Sequence, residues 1–95
     1  MSVVKIPTVL RPQVGGEKQL DLDGATVAEL VDALVGRFPS LKSQLLTPNG
    51  ELNRFVNVYV NGQDVRYLQG LETPVAARDE VRLLPAMAGG SAAGG

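Results

Sequence analysis

The 95-residue chain contains neither cysteine nor histidine. Lacking cysteine, it has no disulfides, thiolate metal sites or iron-sulfur clusters. Lacking histidine, it is without the usual general base and the commonest metal ligand. That leaves carboxylates, Lys5, Lys18, Lys42 and two tyrosines to carry any catalysis, and nothing in their spacing forms a catalytic constellation. The expectation is a protein that is not itself an enzyme and that holds no metal.

Long apolar runs are missing too. No stretch approaches the ~20 residues needed to span a bilayer, and Met1-Ser2-Val3-Val4-Lys5-Ile6-Pro7 is too short an apolar start for a signal segment. Nine basic and ten acidic residues are scattered along the sequence for a net charge of -1, without the basic stripe that marks a nucleic-acid binder. A cytoplasmic protein is expected, with neither membrane nor nucleic acid as partner. At 44% hydrophobic content the chain suits one domain with one core, and a domain this small buries only roughly 60 to 65% of its unfolded surface.

Residues 3–10 are rich in β-branched side chains and read as a strand, with Pro7 marking an edge or bulge because it cannot donate to a ladder. Residues 17–22 read as a second strand, since Leu20 and Leu22 alternate with polar neighbours. Gly15-Gly16 between them suits a hairpin turn; no helix start follows that would make it a phosphate cradle. Thr26 with Glu29 three residues on forms a capping box. Val27, Leu30, Val31, Leu34, Val35 and Phe38 then fall on one helical stripe that stops at Pro39. Glu29 and Arg37 sit at the ends the helix dipole favours.

Residues 41–46 suggest one further helical turn before the turn signal Thr47-Pro48-Asn49-Gly50. Residues 54–60 read as a strand, with Val56, Val58 and Val60 toward the helix and Phe55, Asn57 and Tyr59 away from it. Asn61-Gly62 is a tight-hairpin dipeptide leading into residues 63–67, and residues 70–75 form a connector. The last strand, residues 80–84, should turn Val81 and Leu83 inward and Arg82 and Leu84 outward, with Pro85 ending its pairing. If that strand lies beside the first, the result is an α+β, ubiquitin-like β-grasp. Its mixed sheet would carry one main helix across one face.

The chain closes on two diglycines, Gly89-Gly90 and Gly94-Gly95. Glycine has no Cβ to clash with a channel wall, so such an end can present a main-chain carboxylate inside another protein's active site. An exposed terminus or a linker would have the same composition. The division expected is a β-grasp domain over residues 1–86 and a flexible Gly-rich tail over residues 87–95.

Taken together, several segments carry a resemblance to a known family: Ile6-Pro7-Thr8-Val9-Leu10-Arg11-Pro12, Gly15-Gly16-Glu17, Arg54-Phe55-Val56-Asn57-Val58-Tyr59-Val60-Asn61, Asp64-Val65-Arg66, Gly70-Leu71 and Leu84-Pro85-Ala86-Met87-Ala88-Gly89-Gly90. Over nearly its whole length the chain resembles the bacterial sulfur carriers of the ThiS and MoaD type, within the branch associated with cysteine synthesis. That resemblance implies a monomer alone, with no bound cofactor. Its terminal carboxylate would be adenylated with ATP by a ubiquitin-activating-like enzyme and converted to a thiocarboxylate.

The same resemblance implies an acceptor synthase, either a pyridoxal-phosphate-dependent cysteine synthase or a thiazole-synthase-like enzyme. It also implies a JAMM-type zinc protease that releases the product. Phe55, Tyr59 and Leu84, ringed by Arg54, Arg66 and Arg82 and adjoining Met87, form the expected docking patch. Two positions depart from the family. Arg78-Asp79 replaces Gly-Asp before the last strand, where a positive φ would cost Arg78 about 1 kcal/mol. Residues 91–95 extend past the matching diglycine, so either they are trimmed or Gly95 is the working end. A ubiquitin-like interaction or conjugation module is the alternative.

Overall fold

The structure, a computed structural model, describes residues 2–85. Strand β1 (Ser2–Lys5) pairs antiparallel with β2 (Gln19–Leu22) from Ser2 opposite Leu22 to Lys5 opposite Gln19. Leu20 and Leu22 are buried and Gln19 and Asp21 exposed, as their alternation requires. The first strand is shorter than the β-branched run suggests. Past Lys5 the chain reaches Pro7, and a 3-10 turn over Thr8–Val14 replaces the expected extension.

Leu10 N donates to Pro7 O at 3.0 Å, and the turn buries Leu10 and Val14. Gly15 and Gly16, at φ 71° and 82°, close this turn, with Gly16 N donating to Arg11 O at 2.7 Å. They therefore end a helical turn instead of forming a two-residue hairpin loop.

Helix α1 (Val27–Arg37) starts where its cap predicts. Thr26 Oγ1 accepts from Glu29 N at 3.2 Å, and Glu29 Oε1 reaches back to Ala25 N at 2.8 Å. Val27, Leu30, Val31 and Leu34 are buried, while Val35 and Phe38 are partly buried against the same core. A 3-10 turn (Pro39–Leu41) and helix α2 (Lys42–Leu45) follow, burying Leu41 and Leu45 completely.

Space, not backbone angle, constrains Gly24, two residues before the Thr26 cap of α1. A Cβ on Gly24 would stand 2.9 Å from Leu30 N and 3.0 Å from the Leu30 side chain. Gly24→Ala is therefore expected to cost about 1–3 kcal/mol by overpacking, read as a lower urea midpoint. An unchanged midpoint would show that the β2–α1 connection shifts freely.

Strands β3 (Val56–Val60) and β4 (Gln63–Asp64) form the second hairpin, around Asn61 at φ 50° and Gly62 at φ 87°. Positive φ at both positions is what a type I′ turn demands, and Asn-Gly supplies it at low cost. The segment expected to extend to residue 67 pairs over only two residues. It then coils into a 3-10 turn (Val65–Tyr67), capped by the Asp64 carboxylate accepting from Arg66 N at 2.9 Å.

Strand β5 (Glu80–Pro85) lies in the middle, parallel to β1 and antiparallel to β3, giving the order β2-β1-β5-β3-β4. Its last pair joins Pro85 to Val56, one residue beyond the expected end. The mixed sheet packs Val4, Val58, Val81 and Leu83 against Val27, Leu30, Val31 and Leu34 of α1. This is the ubiquitin-like β-grasp.

Asn61 also ties the hairpin to the start of β5. Its Oδ1 accepts from Glu80 N at 3.0 Å and its Nδ2 donates to Asp79 at 3.0 Å. Asp79 accepts a second bond from Ala76 N at 2.8 Å. These bonds, the backbone one first, hold its carboxyl below the usual carboxylate range. Among the described residues Asn61 alone of the non-glycines has positive φ. Arg78 therefore carries none of the strain that its replacement of glycine suggested.

Candidate functional site

On the sheet face turned away from α1, the register sets Asp64, Tyr59, Arg82, Lys5 and Gln19 in one row across all five strands. Leu84 stands opposite Asn57 in the adjoining position. Glu80 reaches both Lys5, at 3.6 Å, and Arg82, at 3.8 Å. All three side chains are about 40 to 50% exposed, so each pair contributes about 0–1 kcal/mol.

Phe55 lies just before β3 and is 64% exposed. Its N–H donates to Asn53 Oδ1 at 3.0 Å, and the Arg54 guanidinium sits 5.7 Å from its ring centroid, within cation–π reach. Arg66 braces this segment from the far side. Its guanidinium donates to Asn53 O at 2.9 Å, to Val56 O at 2.8 Å and to the Asn57 side chain. One planar fork thus fixes the backbone on both sides of Phe55.

The expected apolar trio divides. Phe55 and Leu84 line one cleft of about 310 Å³, together with Val9, Leu10, Val56 and Pro85 and a polar edge from Ser43, Gln44 and Asn53. Tyr59 is half-buried and does not line it; it sits in the row beside Arg82. Arg82 lines a second, larger hollow of about 580 Å³ with Lys5, Arg11 and Lys18.

Val9, 62% exposed, borders both hollows and was not singled out by sequence reasoning. The signal was Pro7 and Pro12 on either side of it, which disfavour the strand assigned there. Both hollows also share Leu84 and Pro85. Pro85 is where the described chain ends, so Met87, Gly89, Gly90, Gly94 and Gly95 lie outside the described residues, as does the boundary at residue 86.

Among the described residues no group of acidic side chains is placed to hold a metal ion. Nor is any helix among them long and apolar enough to cross a membrane. What this face offers is an apolar cleft and a cationic hollow on either side of the point from which the diglycine segment continues.

Comparison with known proteins identifies the family. Residues 4–90 match the model of the ThiS family. The chain is 44% identical over 89 residues to the sulfur carrier protein CysO of Mycobacterium tuberculosis, covering 92% of this chain and 96% of the relative. It is 40% identical over 81 residues to small archaeal modifier protein 1 of Haloferax volcanii, covering 82% of this chain and 88% of the relative. Its fold superposes with a TM-score of 0.87 and 46% identity on a chain of the Amycolatopsis orientalis BexX/CysO complex, covering 95% of this chain and all of that one. With the family match running from within β1 through β5 and reaching the first diglycine, the chain belongs to the ThiS family.

Proposed function

We propose that this protein is a sulfur carrier whose terminal glycine carboxylate is activated and converted to a thiocarboxylate by partner enzymes. The observation that carries this reading is the family match ending at Gly90, five residues after a strand that leaves the sheet between two hollows. A terminal carboxylate oxygen attacks the α-phosphate of ATP, pyrophosphate leaves, and an acyl adenylate forms on the carrier. A sulfide-equivalent nucleophile then attacks the acyl carbon and expels AMP, which leaves sulfur in place of one oxygen. The thiocarboxylate sulfur is a stronger nucleophile than the oxygen it replaces, and carrying it on a protein avoids free sulfide.

The carrier itself contributes a rigid body, an apolar docking cleft and a narrow end. ATP and the acid–base groups belong to the adenylating partner. The resemblance to the carriers associated with cysteine synthesis makes a cysteine-forming synthase the favoured acceptor, with a thiazole-forming enzyme as the other candidate. A zinc-dependent protease would complete the cycle by releasing the product.

The test is the intact mass of the protein recovered from cells. A fraction heavier by the difference between a sulfur and an oxygen atom, and shifted further by a thiol-alkylating reagent that leaves the lighter form unchanged, is expected. A second reading is favoured by the modifier proteins among the relatives: an isopeptide bond between the terminal glycine and a lysine of another protein. Recovery of the protein only in such conjugates, with no sulfur-bearing form, would overturn the carrier reading.

A further inference from the structure

Of the nine basic residues in a chain with net charge -1, four line the larger hollow: Lys5, Arg11, Lys18 and Arg82. Among the described residues no carboxylate lines it; Glu80 lies outside the lining and pairs with Lys5 and Arg82. We propose that this hollow is a docking cleft for an acidic segment of the adenylating enzyme. The proposal rests on the carrier reading above and assigns the cleft a task separate from that of the apolar cleft beside it.

The cations are arranged to receive a carboxylate. Arg11 Nε donates to Ile6 O at 3.1 Å, which fixes the guanidinium on the 3-10 turn before any partner arrives. Lys5 and Arg82 share Glu80 at 3.6 and 3.8 Å from a half-exposed position. Such pairs are weak enough to be exchanged for an incoming anion. Lys18 is exposed in the bend just before β2, and its carbonyl accepts from Ile6 N at 2.9 Å, which anchors its backbone. At about 580 Å³ the hollow has the size of a site that takes a few side chains.

Position decides what occupies it. The cleft shares Val9, Leu84 and Pro85 with the apolar cleft, so a protein seated on Phe55 and Leu84 continues directly into it. Nucleic acid is the poorer fit, because no aromatic side chain lines the hollow to stack on a base and the chain as a whole is acidic. Complementary charge at such a rim mainly speeds encounter and fixes orientation, and it weakens as salt screens it. Orientation matters for a carrier whose terminus must arrive at one atom.

Two measurements on the full chain test this. The first titrates the isotope-labelled protein with a blocked hexaglutamate peptide at low salt, with hexalysine and inorganic phosphate as controls. Shifts concentrated at Lys5, Arg11, Lys18 and Arg82 are expected with hexaglutamate and not with hexalysine. Equal response to phosphate alone would reduce the site to a simple anion site and overturn the proposal.

The second measures sulfur loading by the adenylating enzyme at varied carrier concentration. Lys18→Glu is expected to raise KM about tenfold at low salt, with the difference shrinking as salt rises, while Arg78→Glu, at the other end of β5, stays within about twofold of wild type. Equal KM values for the two variants overturn the proposal while leaving the carrier reading intact. Contacts between the terminal glycines and Lys18 in the free protein would assign the cleft to the chain's own end and overturn it as well. If wild type itself acquires no sulfur, the carrier reading fails, and the partner named here fails with it even where the peptide binds.

Discussion

Leu83→Asp is expected to destabilise the protein by roughly 4 kcal/mol or more, whereas Leu84→Asp leaves it folded but poorly recognised by its adenylating partner. The two residues are neighbours in β5, and pleating sends them to opposite faces. Leu83 is 2% exposed and meets α1 through the core; Leu84 is 37% exposed and lines the apolar cleft with Phe55. A carboxylate at 83 has no cation or donor positioned for it among Val4, Val58 and Val81, so it either ionises at a large desolvation penalty or stays protonated at neutral pH.

A domain of this size has about 5–15 kcal/mol of total stability, so that loss takes a large share of it. At 84 the carboxylate stays in water, and the cost to folding is within about 1 kcal/mol, mostly lost strand propensity. Its effect falls on docking, where an apolar contact becomes a charge. Denaturant midpoints for both variants, with KM for sulfur loading, check this. Equal loss of stability at the two positions would erase the division of faces on which the docking cleft depends.

The face assignment could be read from the sequence because strand alternation is a local property. Val56, Val58 and Val60 alternate with polar or aromatic residues, and Val81 and Leu83 alternate with Arg82 and Leu84. The α1 stripe and its Thr26–Glu29 cap were legible for the same reason: each signal spans a single element. Residues 8–10, read as the end of the first strand, were not. Their β-branched content favours a strand, but Pro7 cannot pair, and burying Leu10 and Val14 in a 3-10 turn satisfies the core better than extending β1.

Both hollows depend on that turn, since Val9 borders each and Arg11 lies in the cationic one. The apolar cleft further draws on four separate segments, with Val9, Gln44, Phe55 and Leu84 all among its lining. Tyr59 was grouped with Phe55 and Leu84 because all three face outward. Outward alternation does not reveal that Phe55 leans toward the 3-10 turn while Tyr59 stays in the row with Arg82.

Deleting residues 89–95 is expected to leave the thermal midpoint within a degree or two of wild type and to abolish sulfur loading. Every buried apolar residue among those described lies between Val4 and Leu83, and the seven residues removed are only Gly, Ser and Ala, which carry no large apolar side chain. The reactive carboxylate, in contrast, is drawn back from Gly90 to Ala88, about 7 Å of extended chain, and both glycines are lost. The same geometry distinguishes the two diglycines. An adenylating enzyme that grips the body at Phe55 and Leu84 sets a fixed distance to its reactive phosphate.

From Pro85 a fully extended chain reaches about 18 Å at Gly90 and about 36 Å at Gly95, so a site matched to one end is overshot by the other. The family match stops at Gly90, which favours the shorter form as the substrate. Looping out five small residues carries only a modest entropic cost. The longer form is therefore expected to be loaded more slowly, not to be inert. Purified chains ending at Gly90 and at Gly95, supplied separately to the adenylating enzyme with ATP and a sulfur donor, decide it. Equal loading rates, with no trimming visible in the intact mass, would mean that Gly95 serves as well as Gly90 and that the distance from body to phosphate does not select the terminus.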